Sequence, residues 1–342
     1  MSIISFEIRR NVGIVSLNRP AVLNCLNLDM INQLKYQLQV WQEDPHVHFV
    51  IIRSDLEKAL CAGGDLKEIY EAACRSDQAF LNTFFKEEYG LNAFISSYKK
   101  PYISFMQGIT MGGGMGITVN GSHCIVTDNS ILAMPEVFIG FFPDAGGSYF
   151  LNKCPGKTGL LLGLSGYRMN AADALYTGIA THYVSSQGLN ALFHALIETD
   201  ISQNPREGIH AILDIFSSTP PMVSNLEKNR VQIDEYFQEE DIGDLVIGLR
   251  LSKNHWIQEV RKKMEEASPF SLAITHQMLK KSKSLSFAEC MEGELRLALK
   301  FFQNSDVLEG IRSVVIDKDR APKWSYGSVM DVPASVVNEY FS

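Results

Sequence analysis

The chain has 342 residues, 46% of them hydrophobic, which is enough for one large domain or for a core with a sizeable second lobe. A formal net charge of −8 argues against a general nucleic-acid or anionic-membrane binder, since both need a basic footprint. The six cysteines, Cys25, Cys61, Cys74, Cys124, Cys154 and Cys290, are scattered without a CxxC pair, the pattern of reduced thiols rather than of a disulfide framework or a zinc site, so no metal is expected.

The N-terminus runs straight into alternating residues from Ile3 to Ile8 with no basic-then-apolar leader, and no run of about 18 apolar residues occurs. A soluble cytoplasmic protein is expected, or a processed enzyme of the mitochondrial matrix. The runs Ile3 to Arg9 and Val12 to Asn18 flank Arg10-Asn11 and predict a hairpin, closed by Arg19-Pro20. From Asn27, Met30, Ile31, Leu34, Leu38 and Trp41 recur at helical spacing up to Asp44-Pro45, and His48 to Arg53 reads as a strand. This order of two strands and a helix recurs without a sequence repeat of fixed period. Pro101 to Met106 and Cys124 to Thr127 are strand-like, whereas Gly113 to Asn120 and Lys157 to Leu164 look like short helices. After about Asp200 the character changes. Pro220-Pro221 and a charged stretch from Glu235 to Asp244, read as a solvated face or loop, precede amphipathic segments near 245–266 and 271–282, then helices over Phe287 to Gln303 and Asp306 to Val315. The expected division is a core over residues 1–200 that carries the site and a mainly helical region over 201–342 that packs on or near it.

Two glycine turns attract attention. Cys61-Ala62-Gly63-Gly64-Asp65-Leu66 leads from a strand and loop into helix-forming residues, and its plainest reading is an N-cap turn with Asp65 as the cap. Gly112-Gly113-Gly114 follows a strand and opens an apolar stretch, so it offers bare N–H groups at a helix start. Two such turns can supply the two donors that a thioester or enolate oxygen needs. The glycine run is no dinucleotide fingerprint, because Ile117 stands where a glycine is required, and Gly156-Lys157-Thr158 is no phosphate-binding loop, because Leu151 replaces its first glycine. His46 and His48 lack a third ligand and read as a solvated loop. Glu136 sits among Met134, Val137, Phe138 and Ile139, and a carboxylate in that company must be paired or functional. Asp144, between Phe141-Phe142-Pro143 and Ala145-Gly146-Gly147, is either functional or the cap of the next helix.

Together, Leu17-Asn18-Arg19-Pro20, residues 61–66, the 112–114 turn and Pro135-Glu136 resemble the crotonase (enoyl-CoA hydratase/isomerase) superfamily over nearly the whole chain. Within it, the chain is most similar to the branch of 3-hydroxyisobutyryl-CoA hydrolases, through Phe84-Phe85-Lys86-Glu87-Glu88-Tyr89, residues 108–114, 139–147 and 178–182, and the tail residues Glu309-Gly310-Ile311-Arg312, 316–319 and Pro322-Lys323-Trp324. The resemblance implies an α/β fold, a crotonase-type spiral of ββα units with a helical C-terminal region, acting on an acyl-CoA thioester in which coenzyme A is part of the substrate and product and no separate cofactor is used. It assigns the thioester oxygen to the amides of Gly64 and Gly113, catalysis to Glu136 with Asp144 as its partner, and the acyl end to Glu88. Val22, Leu23, Gly64, Asp65, Leu66 and Lys67 are the implied coenzyme A contacts, with Arg19 or Lys58 near the phosphates, and Phe141 and Phe142 as candidate walls of the acyl pocket or core residues. In hydratases of the superfamily a second glutamate stands where this chain has Gly116, which argues against two-glutamate water addition. The implied activity is hydrolysis of a short 3-hydroxyacyl-CoA; enoyl-CoA hydratase or isomerase activity and non-catalytic acyl-CoA binding stay open as alternatives. Many relatives form trimers or dimers of trimers, and the longer helical tail leaves the homo-oligomeric interface open.

Overall fold

The computed structural model describes residues 2–238, 240–303 and 305–342; Glu239, within the predicted charged stretch, lies outside them. Its strands are β1 (Ile4–Arg9), β2 (Val12–Leu17), β3 (Phe49–Ser54), β4 (Ala59–Cys61), β5 (Tyr102–Met106), β6 (Ile109–Met111), β7 (His123–Val126), β8 (Ile131–Ala133) and β9 (His182–Tyr183). The chain divides into two compact units that each draw on separated segments: Met1–Gly64, Gly90–Leu132 and Arg168–Asn225 form one, and Asp65–Tyr89, Ala133–Tyr167 and Leu226–Ser342 the other. After Tyr183 every described element is a helix.

In the first unit a six-stranded sheet runs β1-β2-β3-β5-β7-β9, and a three-stranded sheet runs β4-β6-β8. The predicted hairpin forms, with Phe6 opposite Val15 and Arg10 in the left-handed region at the turn. From β2 onward the large sheet is parallel. After the hairpin, whose two strands both join the large sheet, the pairs β3–β4, β5–β6 and β7–β8 each give their first member to the large sheet and their second to the small one, with helices between the pairs. That is the structural form of the repeated ββα order.

Alternation then sorts the side chains. Val12, Ile14, Phe49, Ile51, Ile103, Phe105 and Ile125 point to one face, where Leu192, Phe193, Leu196, Ile209 and Leu213 of the helices Leu189–Glu198 and Pro205–Phe216 cover them. On the opposite face Trp41, from the helix Leu28–Glu43, packs on Gly13, where a Cβ would stand 2.7 Å from the indole. Asn27 caps that helix by accepting from Met30 N at 3.0 Å.

The second unit is helical. Pro269–Ser282 buries eleven of its fourteen residues. Amphipathic sequence near 245–266 resolves into two helices, Ile242–Leu251 and His255–Met264, because Asn254 caps a new start through Ile257 N at 3.2 Å. The predicted helix from Asp306 changes character at Arg312, where Arg312–Ile316 takes the wider π form.

Candidate active site

The residues read as a site fall into both units. In the first unit, the loop Arg19 to Leu26 is fastened to the segment 59–64 by a buried asparagine. Asn24 Nδ2 donates to Leu60 O at 3.0 Å and Asn24 Oδ1 accepts from Arg19 N at 2.7 Å, while Ala62 N donates to Leu23 O and Leu26 N to Gly63 O. Leu23 and Asn24 hold positive φ values to make this turn. Backbone of Val22 and Leu23 is thereby set beside the segment that ends in Gly64.

β4 pairs in parallel with β6, and this pairing aligns the two glycine turns. Gly63 has φ 111° and Gly112 has φ 51°, backbone that only glycine adopts without strain. A Cβ on Gly63 would lie 3.2 Å from Met111 O and 3.6 Å from Gly113 N, so the turns touch. Gly113 is the first residue of the helix Gly113–Val119, whose leading N–H groups have no intrahelical acceptor. The Gly64 N–H takes part in no turn or loop backbone bond among the described residues. Two N–H donors at adjoining turns have the character of an oxyanion-binding pair.

In the second unit Glu136 opens a short 3-10 turn, Glu136–Ile139, and is 6% exposed. Its Oε2 is buried with no hydrogen-bond partner. Burial first, then the charge of Asp144, raises its pKa well above the ordinary carboxylate value. The turn is held from behind. Ser268 N donates to Val137 O at 3.0 Å, and Ser268 Oγ donates to Asp306 Oδ2 at 2.6 Å. Gly140 and Gly310 let the backbone of the helix Ser305–Ile311 approach the turn so closely that a Cβ at either would overlap main-chain atoms.

Asp144 is also buried, and Tyr89 donates its hydroxyl hydrogen to Asp144 Oδ2 at 2.5 Å. Burial pushes Asp144 up to about 6, while the Tyr89 hydrogen bond pulls it down. Glu88, at 3% exposure, is raised by burial and by Asp144. A fourth carboxylate belongs to the same cluster. Glu294, on the helix Phe287–Phe301, accepts from Gly146 N at 2.8 Å through Oε2, and from Ser148 N at 2.8 Å and Ser148 Oγ at 2.5 Å through Oε1. Burial pushes Glu294 up to about 8 against these three bonds. Like charges buried together oppose one another's ionisation, so burial and mutual repulsion both hold these carboxyls above their ordinary values.

The structure brings Glu88, Glu136 and Asp144 into one electrostatic cluster, and sets Gly63, the residue before Gly64, against Gly113. Asp144 does not cap the next helix. Glu294 takes the Gly146 and Ser148 donors at the start of Gly147–Phe150, Gly147 N goes to the Asp144 main-chain oxygen, and the Asp144 carboxylate accepts from Tyr89. Asp65 is the cap expected of it, accepting from Glu68 N at 3.3 Å at the head of the helix Leu66–Cys74. Lys67 is exposed and reaches Glu71 at 3.9 Å, while Arg19 Nη1 donates to Cys25 O at 2.7 Å; Lys58 is exposed. Phe141 and Phe142 join an aromatic cluster with Phe85, Phe301 and Phe302, with centroids of 4.6 Å for Phe141–Phe142 and 5.1 Å for Phe142–Phe301. Tyr89 and Glu294 had no role in the sequence reading. Glu294 carried a signal: it falls on the buried stripe Cys290, Met291, Leu297, Ala298 and Phe301, where an acid is out of place.

Comparison with known proteins gives the family. The profile of the enoyl-CoA hydratase/isomerase family matches residues 12–341. The curated 3-hydroxyisobutyryl-CoA hydrolase, mitochondrial, of Xenopus tropicalis is 37% identical over 336 residues, covering 96% of this chain and 86% of that protein. Its namesake from Bos taurus is 38% identical over 333 residues, with the same two coverages. Among solved structures, a carnitinyl-CoA dehydratase from Mycobacterium thermoresistibile superposes with a TM-score of 0.93 at 34% identity, covering 100% of this chain and 97% of that one. An enoyl-CoA hydratase from Rhodobacter sphaeroides 2.4.1 does so with a TM-score of 0.92 at 32% identity and the same coverages. The chain belongs to the enoyl-CoA hydratase/isomerase family, within the crotonase superfamily. Its fold is the crotonase-type α/β spiral with a helical C-terminal region.

Proposed function

We propose that the protein is an acyl-CoA thioester hydrolase that converts 3-hydroxyisobutyryl-CoA to the free hydroxy acid and coenzyme A, a step of valine degradation. The curated relatives carry that activity in their names. The observation that carries the reading is the buried carboxylate of Glu136, whose Oε2 has no hydrogen-bond partner, in a chain with glycine at 116, where the superfamily's hydratases place a second acid.

In this reading the N–H groups of Gly64 and Gly113 hold the thioester oxygen and stabilise the charge that gathers on it. Glu136 delivers water to the acyl carbon, either by taking its proton or by forming a mixed anhydride that water cleaves. The carbon–sulfur bond breaks, and the thiolate leaves with a proton supplied from the side of Asp144. Tyr89 holds Asp144 in place for that task. Glu88 accepts a hydrogen bond from the substrate 3-hydroxyl, which favours hydroxylated acids over plain acyl chains. Main chain of Val22, Leu23, Gly64, Asp65, Leu66 and Lys67 contacts coenzyme A. No separate cofactor enters the reaction.

Among the described residues no helix is long and apolar enough to cross a membrane. The curated relatives are named as mitochondrial proteins, so we assign the matrix to a chain of mitochondrial origin and the cytoplasm otherwise. We also assign a homo-oligomer, to be checked by light scattering of the eluting protein. The substrate assignment is tested by a thiol-release screen over short acyl-CoA esters with and without a 3-hydroxyl. Faster release from the hydroxylated esters is expected, and equal rates for both sets would remove the role given to Glu88.

A further inference from the structure

The turn from Asp144 to Gly147 is an unfavourable piece of backbone. Ala145 has φ 53° and Gly146 φ 93°, two successive residues in the left-handed region, the first of them carrying a Cβ. Gly147 N closes the turn on Asp144 O at 2.7 Å. The short helix that follows, Gly147–Phe150, has no capping side chain of its own segment. A distant residue performs this task. Glu294, 1% exposed, bridges Gly146 N with one oxygen and Ser148 N and Oγ with the other, so it grips the turn on both sides of Gly147. Its neighbours on the buried face of the helix Phe287–Phe301 are all apolar, and an apolar side chain in its place would leave the three donors of the turn without this acceptor. What the carboxylate supplies is geometry: it over-determines a strained turn whose first residue is Asp144.

We propose that Glu294 is a positioning residue, which acts through the 145–148 backbone to fix the Asp144 carboxylate against Tyr89 and in register with Glu136. Asp144 is thus located twice, at its side chain by Tyr89 and at its main chain by Glu294. The proposal rests on the reading of Asp144 as the partner of Glu136 in thioester hydrolysis. It differs from a merely structural role in one respect: the effect of Glu294 must pass through Asp144.

The test is Glu294→Gln, alone and combined with Asp144→Asn, assayed for thiol release from 3-hydroxyisobutyryl-CoA. Glutamine keeps the shape, but its NH2 end cannot accept from one of the two backbone N–H groups. Glu294→Gln alone is expected to lower kcat about 10- to 100-fold, as is typical of supporting hydrogen bonds behind a reacting group, with KM within about twofold. In the Asp144→Asn background the same change is expected to cost less than about threefold, a non-additive cycle. Equal losses in both backgrounds, or a kcat within about twofold of the unsubstituted protein, overturn the proposal. So does a loss explained wholly by the fraction unfolded. If Glu294→Gln does not fold, Ser148→Ala, which deletes the Oγ contact to Glu294 and keeps the backbone one, takes its place: a loss of about threefold or more that vanishes in the Asp144→Asn background supports the role, and anything else overturns it. No thiol release by the unsubstituted protein overturns the hydrolase reading and this proposal with it, whereas an active protein indifferent to Glu294→Gln overturns the proposal alone.

Discussion

At the scale of single residues, chemistry concentrates on carboxylates that burial keeps from ionising freely. In the proposed hydrolysis Glu136 has to be ionised to act on water, and both burial and the Asp144 charge hold its pKa up. The acid limb of kcat/KM is therefore expected above the ordinary carboxylate range. Asp144→Asn removes the repelling charge, so the limb of the residual activity should move to lower pH; an unmoved limb would show that Asp144 does not face Glu136 electrically. Glu136→Gln removes the group itself and is expected to lower kcat by about 10² to 10⁴, the usual worth of a general base, with little change in thioester binding. Tyr89→Phe deletes the donor to Asp144 Oδ2. Since that bond favours the ionised form, Asp144 should titrate above its value of about 6 in the variant, as read by carboxyl carbon NMR or difference infrared spectroscopy.

At the scale of elements, the glycine turns are spatial requirements before they are chemical ones. A Cβ on Gly114 would stand 3.0 Å from Cys61 Cβ and closer still to the Cys61 carbonyl oxygen. Gly114→Ala is therefore expected to cost about 1–3 kcal/mol in urea unfolding, as overpacking does. It should also slow thiol release, because the helix start that presents Gly113 N–H must shift. Gly248, inside the helix Ile242–Leu251 with nothing within 4 Å of a would-be Cβ, serves as the opposite case. Gly248→Ala should stabilise by about 0.4–1 kcal/mol, and destabilisation there would contradict the packing described. Legibility in the sequence follows the same physics. The strands and the helix Leu28–Glu43 announce themselves because their apolar periods reflect local burial. The grip of Glu294 on Gly146 and Ser148 was not legible as a contact, because it joins segments far apart in the chain; only the misplaced acid on an apolar stripe could have flagged it. Asp144 was ambiguous for a related reason. A carboxylate before a glycine turn reads as a cap until the donors of that turn are found to be satisfied from elsewhere.

At the scale of the whole molecule, the buried carboxylates link stability to pH. Burial raises Glu88, Glu136, Asp144 and Glu294 in the folded state, so each contributes stability that is complete below the unfolded pKa and is lost as pH rises through the folded value, about 6 for Asp144 and about 8 for Glu294. His123, lowered by burial to about 4, works in the opposite direction but only below the ordinary histidine range. Between about pH 6.5 and 8 the carboxylates therefore decide the sign, and the urea midpoint is expected to fall across that window. A flat or rising midpoint would show that they ionise freely. The proposed roles come from the family resemblance, which no spacing rule could replace, and Gly116 is its sharpest point, since the proposal reads the acid missing there as separating hydrolysis from water addition. The most direct measurement is a side-by-side assay of the purified protein on 3-hydroxyisobutyryl-CoA and crotonyl-CoA, following free thiol and loss of the conjugated double bond. Hydrolysis at Glu136 predicts thiol from the hydroxyacyl thioester and an unchanged double bond in the enoyl thioester; double-bond loss without thiol release would contradict it.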